Sequence, residues 1–154
     1  MVTTVGDIME RDLTVVMEYS TINEAIDIFY CHSVAGLPVV NADWRLVGFL
    51  SETDILRAAT PSYLEVLTQS AFTSEEEEEF VRQLENLGHL TVKDYMTKPP
   101  VAVEPYVSLM SVADLMIRKH FRRLPVVEDG ILTGIVDRKM LWNFMLEGHE
   151  PDEK

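Results

Sequence analysis

One cysteine, Cys31, stands in the chain, so no intramolecular disulfide can form and nothing points to an oxidising compartment. It falls in a predicted helix and reads as a small buried or half-buried apolar residue. Basic residues are scarce as well, 13 against 26 acidic ones, for a net charge of −13. That balance argues against a broad surface for nucleic-acid backbones, although a local pair of arginines is enough for a small anion. The acidic surplus reads as solubility rather than as a divalent-cation site. No apolar run approaches the roughly 18 residues that cross a bilayer. The N-terminus carries Asp7, Glu10 and Asp12 and lacks the apolar core of a signal peptide. A cytoplasmic protein that contacts neither membrane nor nucleic acid is expected.

Catalytic signatures are missing too. His32, His89, His120 and His149 are scattered, and none stands at metal-ligand spacing from Cys31. His120 reads as a helix C-terminal residue favoured by the helix dipole. There is no glycine-rich phosphate loop, nucleophile elbow or zinc signature. Neither an enzyme nor a metal site nor an obligatory cofactor is expected.

What the chain does contain is a repeat. Within 154 residues, 47% of them hydrophobic and 25% charged, there is enough for one globular domain with its own core. Val5, Asp7, Met9, Val16, Leu37, Pro38, Val39 and Val40 recur 87 positions later as Val92, Asp94, Met96, Val103, Leu124, Pro125, Val126 and Val127. One residue is lost in a turn, so Gly48 recurs 86 positions later as Gly134. Duplicated units of this size point to a pseudo-symmetric module with clefts between its copies.

Each copy shows the same order of signals. An extended piece (14–16, 101–103) leads to a helix start at Thr21 or Ser108, where Thr21-Ile22-Asn23-Glu24 has the pattern of a capping box. Ile22, Ala25, Ile26 and Phe29, and Leu109, Val112, Ala113 and Met116, then follow helical spacing. Two strands come next, 37–40 and 46–50 joined by Asn41-Ala42-Asp43, or 124–127 and 131–136 joined by Glu128-Asp129-Gly130. A second helix begins near Thr53 or Arg138. The expectation is a mixed α+β fold, two β-α-β-β-α repeats related by a pseudo-two-fold axis, in which neither copy covers its own sheet.

The divisions are 1–57 for the first repeat, 58–90 for a helical insertion, 91–148 for the second repeat and 149–154 for an acidic tail. Pro61 should break the preceding helix, and 62–71 reads as a short helix with Tyr63, Leu64 and Leu67 on one face. Ser74-Glu75-Glu76-Glu77 reads as another capping box, with Phe80, Val81, Leu84 and Leu87 as an apolar stripe. The glutamates of 75–79 read as a dipole-favoured helix start, and the insertion as an amphipathic lid or interaction element.

Both copies, with their Leu-Pro-Val-Val strands and the Gly48 to Asp54 run, resemble the CBS domain family, named for a region of cystathionine β-synthase. Two such motifs in tandem form a Bateman module. The resemblance implies a regulatory sensor of adenine nucleotides or related adenosyl compounds. It implies that Asp54 accepts hydrogen bonds from both ribose hydroxyls, beside Phe49, Ser51 and Thr53 at a strand-to-helix junction that suits phosphate. Ser, Thr and Asp are also ordinary helix-capping residues. Lys98, Arg122 and Arg123 match basic positions that meet phosphates in the family. Guanidinium forks suit that role, and Val101, Phe121 and Pro125 form the expected adenine slot.

In the second copy Asp137, Lys139 and Met140 stand at the positions of Ser51, Thr53 and Asp54, so nucleotide is not expected there. The arginine pair favours AMP, ADP or ATP, with or without Mg²⁺, over S-adenosylmethionine. The resemblance also implies a homodimer through outward helices, for which Phe29 and Met116 are candidates. An effector protein that reads the bound state is a further expected partner. The alternatives are a ligand-free module that docks a protein on its Leu64 and Phe80 helices, a Mg²⁺-responsive module, and a nucleotide-processing enzyme.

Overall fold

Thr21 and Ser108 start equivalent helices in the computed structural model, which describes residues 3–60 and 73–147. The Thr21 hydroxyl accepts the Glu24 N–H at 3.2 Å, while the Glu24 carboxylate accepts the Thr21 N–H at 3.1 Å. This reciprocal cap satisfies donors that a helix end leaves open. It begins the longer helix of the first copy, Ile22–His32. In the second copy Ser108 accepts the Ser111 N–H at 3.2 Å and begins Leu109–Lys119. Both helices stop in the left-handed region, at Ser33 with φ 52° and His120 with φ 59°, which are themselves 87 positions apart.

In chain order the elements are α1 (Val5–Ile8), β1 (Val16–Met17), α2 (Ile22–His32), β2 (Gly36–Val40), β3 (Leu46–Ser51), α3 (Glu52–Ala59), α4 (Ser74–Leu87), a 3-10 turn (Val92–Asp94), α5 (Leu109–Lys119), β4 (Arg123–Glu128), β5 (Ile131–Asp137) and α6 (Arg138–Leu146). β1 runs parallel to β2, pairing Val16 with Val39, in a sheet of order β1-β2-β3. The strand expected over 101–103 is reduced to one parallel bridge, Val103 to Val126. That bridge repeats the Val16–Val39 pairing in the second copy.

β4 and β5 form an antiparallel hairpin from Arg123–Asp137 to Glu128–Ile131. Asp129 and Gly130, with φ of 54° and 81°, supply the two left-handed residues that a tight hairpin turn requires.

Two compact units divide the described residues, and neither follows one repeat. The α2 unit holds 14–42, 47–60 and 73–100; the α5 unit holds 3–13, 43–46 and 101–147. The segment ahead of each repeat therefore packs with the other one. Thr21 bridges to Thr91 and Phe49 to Thr97 in the α2 unit, while Ser108 bridges to Thr4 and Ile135 to Glu10 in the α5 unit. Each second pair reproduces the first through the repeat.

The same correspondence reaches the side chains. A Cβ on Gly48 would meet Met96 Sδ and the Thr97 carbonyl, and one on Gly134 would meet Met9 Sδ and the Glu10 carbonyl. Bare glycine is what lets backbone and thioether approach there.

Each unit has its own core. Ile22, Ala25, Phe29, Leu37, Val39 and Leu50 are buried in the α2 unit; Val5, Val112, Met116, Leu124, Val126 and Val136 are buried in the α5 unit. Phe29 and Met116, candidates for a dimer face, are thus spent on these cores.

Within the 58–90 stretch, α4 packs on α3, burying Leu87 and half-burying Phe80 and Leu84, while Val81 faces solvent. Its cap is Thr73 rather than Ser74, because Glu76 stands three residues after Thr73 and returns the bond to its N–H at 2.9 Å. The helix expected over 62–71 and the tail 149–154 lie outside the described residues. Cys31 is exposed, not buried, since α2 turns its Ile22–Ala25–Phe29 stripe inward and Cys31 away.

Candidate functional site

β3 runs directly into α3, and Ser51 is the hinge between them. Its hydroxyl accepts the Asp54 N–H at 3.1 Å, and Asp54 Oδ2 accepts the Ser51 N–H at 2.9 Å. The helix accordingly begins at Glu52, one residue earlier than the sequence predicts. Glu52 N–H donates to the Ala35 carbonyl at 2.9 Å, so most of the helix-start donors expected to face phosphate are already engaged. Thr53 is exposed beside them.

The second carboxylate oxygen of Asp54 is held from elsewhere. Thr97 donates its hydroxyl to Asp54 Oδ1 at 3.1 Å. Thr97 is fixed in turn to β3, since its N–H donates to the Phe49 carbonyl at 2.8 Å and its carbonyl accepts the Phe49 N–H at 3.1 Å. Phe49 is half-buried and its ring closes over Gly36, while Lys98 follows Thr97 and is exposed.

Phe49, Ser51, Thr53, Asp54 and Lys98 therefore belong to one unit, joined by Thr97, which the sequence reading missed. A carboxylate has about four acceptor positions, so two bonds leave capacity on each Asp54 oxygen. That arrangement suits a pair of neighbouring hydroxyls.

Val101, Phe121, Arg122, Arg123 and Pro125 lie in the α5 unit. Val101 is 44% exposed, whereas Phe121 is half-buried against the α5 core. Pro125 is buried within β4, and its carbonyl accepts the Val103 N–H at 3.0 Å, so little of its ring is left to line a slot.

The arginine pair splits. Arg122 is exposed, and its backbone carbonyl accepts the Arg138 N–H at 3.2 Å. Arg123 is half-buried opposite Asp137 in the hairpin ladder. Burial lowers the Arg123 pKa from its ordinary value, and the Asp137 charge pulls it back up.

At the counterpart junction Asp137 caps α6 by accepting the Met140 N–H at 3.0 Å, and Met140 packs on the α5 core. An open hollow of about 360 Å³ lies beside it, lined by Asp7, Ile8, Lys139, Met140, Asn143 and Phe144 among others. Two features of the Asp54 junction are gone: Met140 offers no carboxylate, and Glu10, at the position of Thr97, turns its side chain to the Asp12 N–H at 3.0 Å. Among the described residues no three His, Cys, Asp or Glu side chains gather to hold a metal ion, and no helix is long and apolar enough to cross a membrane.

Residues 5–60 and 92–141 each match the CBS domain family model. The chain is 34% identical over 145 residues to uncharacterized protein MJ1426 of Methanocaldococcus jannaschii, covering 87% of this chain and 86% of that one. It is 33% identical over 148 residues to the CBS domain-containing protein CBSX1, chloroplastic, of Arabidopsis thaliana, covering 88% of this chain but 61% of the relative.

Among solved structures it is similar to CBSX2, a CBS-pair protein from Arabidopsis thaliana, with a TM-score of 0.75 and 30% identity over 99% of this chain and all of that one. CBSX2 in complex with AMP gives a TM-score of 0.73 at 30% identity, covering 96% and 99% of the two chains. A duplicated match over most of the chain, on a fold shared with CBS pairs, means that the chain belongs to the CBS domain family and is a tandem pair, a Bateman module.

Proposed function

We propose that the chain is a regulatory module that binds an adenosine nucleotide, AMP, ADP or ATP, and acts through a ligand-dependent change in conformation or partner affinity rather than through catalysis. The observation that carries this reading is the Asp54 carboxylate. It is oriented by Ser51 on one oxygen and Thr97 on the other, and each oxygen keeps acceptor capacity for a ribose hydroxyl. The AMP complex of CBSX2, a protein of the same fold and 30% identity, supports the same ligand class.

Lys98 and Arg122, both exposed, are the proposed phosphate contacts, with Arg123 as a weaker one because it faces Asp137. Phe49, Val101 and Phe121 are proposed for the base, with Pro125 demoted by its burial. Ser51 and Thr53 are proposed to donate their hydroxyls. Mg²⁺ would enter only with ATP or ADP.

A homodimer is proposed through the outward faces of the helices. There Met110 and Ile117 of α5 and Trp142 and Met145 of α6 are exposed, in place of the buried Phe29 and Met116. An effector protein is proposed to read the change. An exposed unpaired cysteine suits a reducing compartment, and the cytoplasm is the proposed location.

A thermal-shift panel of AMP, ADP and ATP, with and without Mg²⁺, tests the reading. A ligand bound only to the native state stabilises by RT ln(1 + [L]/Kd), about 2.7 kcal/mol at a hundredfold excess over Kd. No shift with any of them at millimolar concentration refutes it. Stabilisation by Mg²⁺ alone would favour the metal-responsive alternative instead.

A further inference from the structure

We infer that Thr97 is a positioning residue for the Asp54 carboxylate and that the pair selects ribonucleotides over 2′-deoxyribonucleotides, an inference that rests on the adenosine-nucleotide reading above. A carboxylate on a lone helix cap rotates about its last bond and presents its oxygens at varying angles. Asp54 does not have that freedom. Ser51 N–H fixes Oδ2 at 2.9 Å and Thr97 Oγ fixes Oδ1 at 3.1 Å, from two different stretches of chain. Thr97 is a stiff anchor because its backbone makes two hydrogen bonds to Phe49, the residue two before Ser51 on β3. The remaining acceptor positions of both oxygens are held side by side, the arrangement that a vicinal diol requires and a single hydroxyl does not.

The repeat supplies an internal control. The counterparts of Thr97 and Asp54 in the second copy are Glu10 and Met140, and Glu10 keeps the same backbone bridge, to Ile135. The backbone arrangement is therefore present twice, and the hydroxyl–carboxylate pair once. Thr97 is not needed to form the bridge, which Glu10 forms equally well. Its hydroxyl is the part that accompanies the carboxylate. Ordering a polar group before the ligand arrives removes a cost that binding would otherwise bear.

The test is calorimetric titration of AMP and of 2′-deoxy-AMP into the full chain and into Thr97→Val, Thr97→Ser, Asp54→Ala and the Thr97→Val/Asp54→Ala double variant. Thr97→Val keeps the shape and loses the donor, and a net hydrogen bond of this kind corresponds to about a five-fold change in affinity. The expected result is a loss of about five-fold for AMP and less than about two-fold for 2′-deoxy-AMP, recovery by Thr97→Ser, and no further loss when Thr97→Val is added to Asp54→Ala.

Equal losses for both nucleotides, an unchanged Thr97→Val, or additive losses in the double variant overturn the inference while leaving the nucleotide reading standing. Absence of AMP binding by the unmodified chain overturns both. The melting temperature of ligand-free Thr97→Val, expected within about 2 °C of the unmodified chain, separates positioning from a fold defect.

Discussion

Arg123 faces Asp137 across the open end of the β4–β5 hairpin, and the two are the first pair of its ladder. Asp137 also caps α6, so one carboxylate serves the strand and the helix together. Arg122, the preceding residue, is outside the strand and exposed. Adjacent arginines that look interchangeable in the sequence therefore stand in different surroundings.

Arg123→Ala is expected to lower stability by about 0.5–1 kcal/mol, the scale of an opposite-charge cross-strand pair, with a modest effect on nucleotide affinity. Arg122→Ala is expected to leave stability unchanged and to weaken AMP, ADP and ATP about three- to ten-fold, the scale of a partly exposed charge-assisted contact. Urea unfolding and calorimetry on the two variants check the division. A reversed pattern would show that Arg123 carries the anion.

Gly48 and Gly134 yield a paired prediction. An added Cβ meets the thioether of Met96 or of Met9, with the Thr97 carbonyl at 3.1 Å or the Glu10 carbonyl at 3.2 Å behind it. Gly48→Ala and Gly134→Ala should each destabilise by about 1–3 kcal/mol, the usual cost of overpacking. Their denaturation midpoints should fall by similar amounts. A loss at one position only would contradict the equivalence of the two close approaches.

Removal of a helix cap offers a similar comparison on a smaller scale. Thr21→Ala and Ser108→Ala each remove a hydroxyl that accepts the N–H three residues on and donates to that residue's side chain, so each should cost about 1 kcal/mol. Thermal unfolding of the two variants checks that the losses are similar, and a loss at one cap only would contradict their equivalence.

Cys31 should behave as a surface thiol. In the native chain it is expected to react with an aromatic disulfide reagent at a rate close to that of the urea-unfolded chain. Slow, unfolding-limited reaction would place it inside the protein.

Local chemistry made much of the fold legible. Thr21 and Ser108 were readable as caps, and Leu37 to Val40 and Leu124 to Val127 as strands, because each signal is complete within a few residues. Two adjacent hydroxyl residues and a run of glutamates permit two capping registers, at Thr73 and at Ser74, and the geometry chooses the one in which Glu76 reaches back to Thr73. Cys31 is exposed where its residue type suggests burial, because a residue type does not state its helical phase and the inward stripe of Ile22, Ala25 and Phe29 turns residue 31 outward.

The site shows the same boundary between local and distant information. Ser51 and Asp54 are three residues apart and visible as a capping pattern, whereas Thr97 lies 43 residues beyond Asp54. No periodicity reports such a contact. Nor did the repeat alone reveal that the segment ahead of each copy packs with the other, which is what brings Thr97 to β3. The split between Arg122 and Arg123 depends on a strand boundary and on a partner, Asp137, fourteen residues away in the chain.

The central claim is that one junction, at Asp54, binds an adenosine nucleotide and that its repeat counterpart at Met140 does not. Titration of AMP into the unmodified chain, Asp54→Ala and Met140→Ala tests it most directly. One site per chain is expected, with affinity falling at least about ten-fold in Asp54→Ala, as for loss of hydrogen bonds to a charged group, and unchanged in Met140→Ala. Two equivalent sites, equal losses in both variants, or no binding to the unmodified chain would contradict it.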